Sequence, residues 1–155
     1  TRSAARELIK CFCGCSELSV DDIEQFSRQN VRELLRNRRS CDLFRNFLKA
    51  KYQVRDVEAA QALRKHEECD VLLRKNETRL IEDDDLDDLL QYDISYAEEK
   101  ALKKCVSNFN KEGIRAELER IQESARNDIE SSVEYKHYKE ELNKKLSRVS
   151  SLQNN

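Results

Sequence analysis

Apolar residues along this chain return mostly at intervals of three and four, the period of amphipathic α-helices. The clearest instance lies within Arg39 to Glu58, where Leu43, Phe44, Phe47 and Leu48 recur at i, i+1, i+4 and i+5 and so share one helix face. Ser40 precedes them as the expected N-cap, with Asp42 as a first-turn carboxylate favoured by the helix dipole. Two phenylalanines and two leucines on one short face predict an anchor for several neighbouring helices. The polar turn after it, Ala50 to Asp56, is where function is expected.

The other elements follow the same period. Residues 2–12 predict a helix with Ala5, Leu8, Ile9 and Phe12 on one side. Ser19 and Asp22 open a second helix carrying Ile23 and Phe26. Asn30 opens a third, with Val31, Leu34 and Leu35 inward and arginines outward, a solvated face or a site for an acidic partner. Asp56 is expected to cap a long helix to about Lys75, buried along Val57, Ala60, Leu63, Cys69, Leu72 and Leu73. His66 is a structural histidine in that stretch, and Asn76 and Thr78 fall in a loop. The acidic run from Glu82 to Asp88 turns Leu86, Leu89 and Leu90 inward, and it lacks the glycine and glutamate of a calcium-binding EF-hand loop. Ser95 caps a helix whose core stripe is Ala97, Ala101, Leu102, Cys105 and Phe109, broken at Gly113. Beyond it, Ile114, Leu118, Ile121 and Ala125 keep helical spacing, but a strict heptad would then place Asp128, Ser132 and Lys139 in the seam. The apolar positions slide instead to Ile129 and Val133 and resume at Tyr135, Tyr138, Leu142 and Leu146. Two helices meeting near residues 130–137 fit this slip better than one coiled coil.

Composition narrows the class. The 155 residues include no proline and two glycines, so the punctuation of β-rich folds is nearly absent, and the fold class expected is all-α. A net charge of −2 with both signs mixed offers no basic field for nucleic acid. No apolar run approaches a membrane span and no signal peptide is visible, and without an initiator Met the chain is expected to be an excised fragment. The six cysteines do not form the framework of a small secreted scaffold, so a cytoplasmic protein with reduced thiols is expected. Three of them crowd together as Cys11, Cys13 and Cys15. Their one-residue spacing, with no second cluster, does not suit zinc. Reversible palmitoylation there would give peripheral membrane association. The chain has no Cys/His nucleophile pair, glycine-rich phosphate loop or paired metal motif, so neither catalysis of its own nor a cofactor is expected.

Two ordered motifs carry a family resemblance. The first is Arg32, Glu33, Leu34 and Leu35, then the run from Asp42 to Lys49 (DLFRNFLK), then a polar turn and a long helix. The second is Ile121 and Gln122 in a helix, a turn, and then Glu134 to Leu142 (EYKHYKEEL). Together they resemble a regulator-of-G-protein-signalling (RGS) homology domain over roughly residues 28–146. The resemblance implies about nine helices in two lobes, one of them made from the chain's two ends. It implies a helical extension with the cysteine cluster over 1–27, the domain over 28–149 and a disordered tail over 150–155. Typical members bind activated Gα and accelerate its GTP hydrolysis by holding its switch loops, without supplying a catalytic side chain.

The departures from the family pattern bear on activity. The turn that is typically S-E-E-N reads Gln53, Val54, Arg55 and Asp56, so an amide that can donate becomes a carboxylate that only accepts. The following aromatic pair becomes Ala59 and Ala60, and Glu134, Lys136 and His137 stand where the family often has a proline and a basic residue. The anchor helix and the stretch from Lys103 to Val106 are similar to the axin branch, whose domains scaffold the β-catenin destruction complex. Those domains bind helical repeats of the adenomatous polyposis coli protein. The resemblance therefore implies a non-catalytic, axin-like interaction module whose partner is a scaffold protein's helical repeat. The alternatives are a diverged GTPase-activating domain for a Gα subunit, or a helical-bundle or coiled-coil interaction protein outside the family. The interface residues expected are Val54, Arg55 and Asp56, Tyr92 and Asp93 in the middle connector, and Lys136 and His137 near the end.

Overall fold

Helix starts in this chain are set by side chains that accept the orphan N–H groups of the first turn. The structure is a computed structural model that describes residues 8–10, 17–52 and 57–153, with side chains described over 18–52 and 57–148. The fold is all-α apart from one short antiparallel ladder of β1 (Leu8–Lys10) and β2 (Glu17–Ser19). Among the described residues the helices are α1 (Val20–Arg28), α2 (Val31–Arg36), α3 (Arg38–Tyr52), α4 (Glu58–Thr78), α5 (Tyr96–Ser107), α6 (Lys111–Ser131) and α7 (Val133–Gln153). Two 3-10 turns, Asp83–Leu86 and Leu89–Gln91, lie between α4 and α5. No described helix is long and apolar enough to cross a membrane.

Three starts are reciprocal capping boxes at the positions the sequence marks: Ser19 with Asp22, Asn30 with Glu33, and Ser95 with Glu98. Arg39 clamps Asp22 at 3.1 and 2.6 Å, and with the hydrogen bonds from Ser19 this holds the Asp22 carboxyl below its ordinary range. The expected meeting of two helices near residues 130–137 is present, with α6 ending at Ser131 and α7 opening at Val133.

Several boundaries differ from the sequence expectation. Leu8–Lys10 is strand, not helix, because the extended Ser19 N-cap leaves Glu17–Ser19 open to pair with it. The cap of α3 is Asn37, whose Oδ1 accepts from the Ser40 N–H at 3.2 Å. Ser40 itself is buried one turn in, donating its hydroxyl to the Leu34 and Asn37 carbonyls. Asn76 and Thr78 belong to the last turn of α4, not to a loop, and buried Asn76 donates to the Lys111 carbonyl at 3.1 Å. α7 continues as helix to Gln153, past residue 150 where a tail is expected. Val133 is 74% exposed instead of buried, since the core side of α7 begins at Tyr135.

The largest difference is at the end of α5. Phe109 is not in the core stripe, which runs through Leu102 and Val106; it is 70% exposed. The Phe109 N–H donates to the Val106 carbonyl at 3.1 Å and the Asn110 N–H to the Cys105 carbonyl at 2.9 Å. This is a Schellman turn, with phenylalanine at the left-handed position (φ 52°) where glycine is normally found. Gly113 is therefore not the helix stop. It lies in the first turn of α6, its N–H capped by Asn110 Oδ1 at 2.9 Å. A Cβ there would sit 2.6 Å from Asn110 Nδ2 and 2.7 Å from Cys105 Sγ, so the cap requires glycine. Phe109→Gly is expected to stabilise the protein by about 1 kcal/mol, since an L-residue pays for the left-handed conformation and the exposed ring returns little. A higher midpoint in urea denaturation would show it.

The chain divides into two compact units. One comprises Thr1–Ala60 with Glu130–Asn155, and the other Gln61–Ile129. In the first, α1 packs on α7, and α3 packs on α2 and α7. Its centre is aromatic: Phe44 meets Tyr138 at 4.9 Å and Tyr135 at 6.1 Å between ring centroids, and Phe47 meets Tyr138 at 5.4 Å, all edge to face. In the second, Leu72, Leu86, Leu89, Leu102 and Leu118 close a core around Cys69. Burial pushes the Cys69 thiol up to about 12, which leaves it without thiolate reactivity at neutral pH.

The acidic run of the second unit is held at Asp85, which pairs with Arg79 and, at 3.9 Å, with Lys75. Arg79 clamps Asp85 at 2.8 and 2.8 Å, and the Glu82 N–H adds a third bond at 2.8 Å, so the Asp85 carboxyl lies far below its ordinary 3.8. A depressed folded-state pKa contributes stability that is present above the unfolded value and lost as pH falls through the folded one. Asp85→Asn should therefore lower the melting temperature at neutral pH. The gap from wild type should stay flat down to about pH 5 and close only below about pH 4, as a melting series across acid pH would reveal.

Candidate functional site

The expected interface residues fall into both units. Val54, Arg55 and Asp56 lie outside the described residues. The chain on either side of them is tied to the start of α7. The last residue of α3, Tyr52, places its hydroxyl 3.0 Å from His137 Nδ1. On the far side, the Ala59 N–H in the first turn of α4 donates to Glu134 Oε1 at 3.1 Å. One turn of α7 thus fixes both flanks of residues 53–56.

Burial, with the Glu134 charge adding to it, raises the Tyr52 phenol above its ordinary value, so it remains an O–H donor. The Tyr52 hydroxyl can donate to or accept from His137 Nδ1 according to the imidazole tautomer, and His137 Nε2 lies 3.4 Å from Glu141 Oε1. The imidazole stands edge-on to Phe47 with centroids 5.3 Å apart. His137 is thereby locked on three sides and half-buried, while Lys136 beside it is exposed. Glu134 is itself buried, with its carboxylate at the N-terminus of α4 and in the first turn of α7. Both positions favour a negative charge.

One turn further along, Lys139 closes the other side of α7. Its Nζ donates to the Ser27 and Gln29 carbonyls at 2.6 and 2.8 Å, capping the C-terminus of α1, and lies 5.8 Å from the Tyr135 ring centre.

Tyr92 and Asp93 belong to the second unit. Tyr92 is half-buried and Asp93 exposed, and the Asp93 carbonyl accepts from buried Lys65 Nζ at 2.9 Å. Lys65 lies 3.9 Å from Asp128, and nearby Gln122 donates to the His66 carbonyl at 3.1 Å and to Asp70 at 2.7 Å. His66 is structural, as its place in the helix pattern suggests: it is 9% exposed, with Nδ1 3.8 Å from Asp70.

The sequence reading named His137 among the expected interface residues, but not Tyr52, which bonds to it, nor Glu134, which accepts from the Ala59 N–H. Tyr52 lies four residues past Leu48, at the edge of the apolar face of α3, and Glu134 acts across 75 positions of sequence. What this arrangement supplies is positioning: it holds Tyr52 and Ala59, on either side of residues 53–56, against α7. No family model, curated protein or solved structure matches the chain.

Proposed function

We propose that this chain is a non-catalytic, RGS-homology-type interaction module of a cytoplasmic signalling scaffold, axin-like, that receives a helical segment of a partner protein. The observation that carries the reading is the packing of the two motifs behind the resemblance. Phe44 and Phe47 of the anchor helix meet Tyr135 and Tyr138 of the closing segment within one unit built from both chain ends. The tie of Tyr52 and Ala59 to α7 supports residues 53–56 as the presented segment, with Lys136 exposed close in sequence to those ties. Ala59 is fully buried where the family carries an aromatic ring, and the Glu134 carboxylate reaches it instead. A turn supported in this way, with Val54 and Asp56 in place of glutamate and asparagine, suits docking better than the ordering of a GTPase switch loop.

The deciding experiment is single-turnover GTP hydrolysis by a panel of Gα subunits with and without the domain, alongside calorimetric titration with a helical-repeat peptide of the adenomatous polyposis coli type. The expected result is unchanged hydrolysis and saturable peptide binding. Acceleration would make this a GTPase-activating domain. Failure of both would leave a helical-bundle interaction protein outside the family.

A further inference from the structure

Four of the five tyrosines are committed to the fold. Tyr135 and Tyr138 are buried in the aromatic centre of the first unit, and Tyr52 is half-buried with its hydroxyl 3.0 Å from His137 Nδ1. Tyr92 ends the second 3-10 turn and is half-buried. Tyr96 differs: it is 76% exposed, and its hydroxyl makes no hydrogen bond among the described residues. Its surroundings carry one sign. Residues 87–99 hold Asp87, Asp88, Asp93, Glu98 and Glu99, and neither lysine nor arginine. Asp93, three residues before Tyr96, is exposed. Glu98 and Glu99 follow it by two and three residues, one in the Ser95 capping box and the other 3.5 Å from Lys103. The backbone of residues 93–95 is neither helix nor strand, and Ser95 is extended (φ −62°, ψ 151°).

We propose that Tyr96 is a phosphorylation site for a protein tyrosine kinase that favours acidic substrates. The phenol oxygen attacks the γ-phosphorus of ATP, the bond from that phosphorus to ADP breaks, and the phenol proton passes to the catalytic aspartate of the kinase. Tyr96 presents its hydroxyl at the outer end of an exposed ring, so the transfer requires no unfolding of α5. The extended backbone ahead of it offers main chain for a kinase to bind, and its acidic flanks complement a basic substrate groove. The product is also favoured where it forms. Tyr96 is the first residue of α5, where the helix dipole stabilises negative charge. Lys100, one turn on, is exposed and forms no ion pair among the described residues, so it is available to the new phosphate. A phosphotyrosine there is a handle for an arginine-bearing reader domain. The inference shares with the function proposed above only its cytoplasmic placement, and an assay with purified components does not depend on that.

The test is incubation of the folded full chain with MgATP and the catalytic domain of a non-receptor tyrosine kinase selective for acidic substrates, the phosphate being mapped by mass spectrometry. Modification of Tyr96 at least about ten-fold faster than of any other tyrosine is expected, because the other four are reached only through local unfolding. Tyr96→Phe should remove it. Asp93→Lys with Glu99→Lys should lower kcat/KM about ten-fold, since each reversal turns attraction to a basic groove into repulsion. Unfolding of that variant would speed modification, so a fall in rate reports the lost charges and not misfolding. No phosphate on Tyr96, phosphate there only after unfolding in urea, an equal rate at Tyr92, or an unchanged rate in the charge-reversed chain would overturn the inference.

Discussion

Phe47→Ala is expected to destabilise the first unit by about 3–5 kcal/mol, enough to leave a marginally stable protein largely unfolded at physiological temperature. Phe47 is fully buried, and its ring is edge-on to Tyr52, His137 and Tyr138 at 6.2, 5.3 and 5.4 Å. The cost includes the transfer energy of the ring and the cavity left among three neighbours that cannot all collapse into it. It also reaches the site, because the same ring braces the imidazole that holds Tyr52. Phe47→Leu retains most of the volume and should lose markedly less. Urea denaturation of the two variants provides the comparison. Equal stability of Phe47→Ala and wild type would mean that this aromatic cluster is not the anchor of the unit.

The second large effect is at Glu134. Glu134→Ala removes the acceptor of the Ala59 N–H, a donor in the first turn of α4 with Ala59 fully buried, and should cost about 1–3 kcal/mol. Glu134→Gln keeps a carbonyl oxygen at the same reach and loses only the favourable charge at two helix starts, a few tenths to about 1 kcal/mol. Alanine should therefore be clearly the worse substitution by thermal melting. It should also weaken binding of any partner that docks on residues 53–56, since the chain on one side of them, at Ala59, is released. Parity between the two variants would show that the charge, and not the hydrogen bond, carries the effect.

What could be read from the sequence is what the chain decides locally. Ser19 with Asp22, Asn30 with Glu33 and Ser95 with Glu98 are signals within four residues, and all three open helices where expected. The slip of apolar positions near Ser132 marks the break between α6 and α7 for the same reason. Asn37 and Ser40 are both good capping residues, and the choice between them depends on a corner where the Leu34 carbonyl takes the Ser40 hydroxyl. Phe109 was hidden by continuity: the core spacing reaches it, and no glycine announces that the helix has already turned left. The site was legible only in part. His137 and Lys136 lie at the turn of α7 that carries the ties, and one of them takes part. Tyr92 and Asp93 belong to the other unit, where a main-chain carbonyl and not a side chain is held. Glu134 and Ala59 have no local signature, because each acts through a residue far away in sequence.

The unit built from both chain ends also has a timetable. The partners of Phe44 and Phe47 leave the ribosome about ninety residues after them, so at about 5–20 residues per second the anchor helix waits roughly 5–20 seconds for Tyr138. The middle unit is one continuous stretch that is complete before α7 emerges. During synthesis, then, Phe44 and Phe47 are without their α7 ring partners until the last helix is made. Slowing translation between residues 61 and 129 lengthens that interval without changing any amino acid in the finished protein.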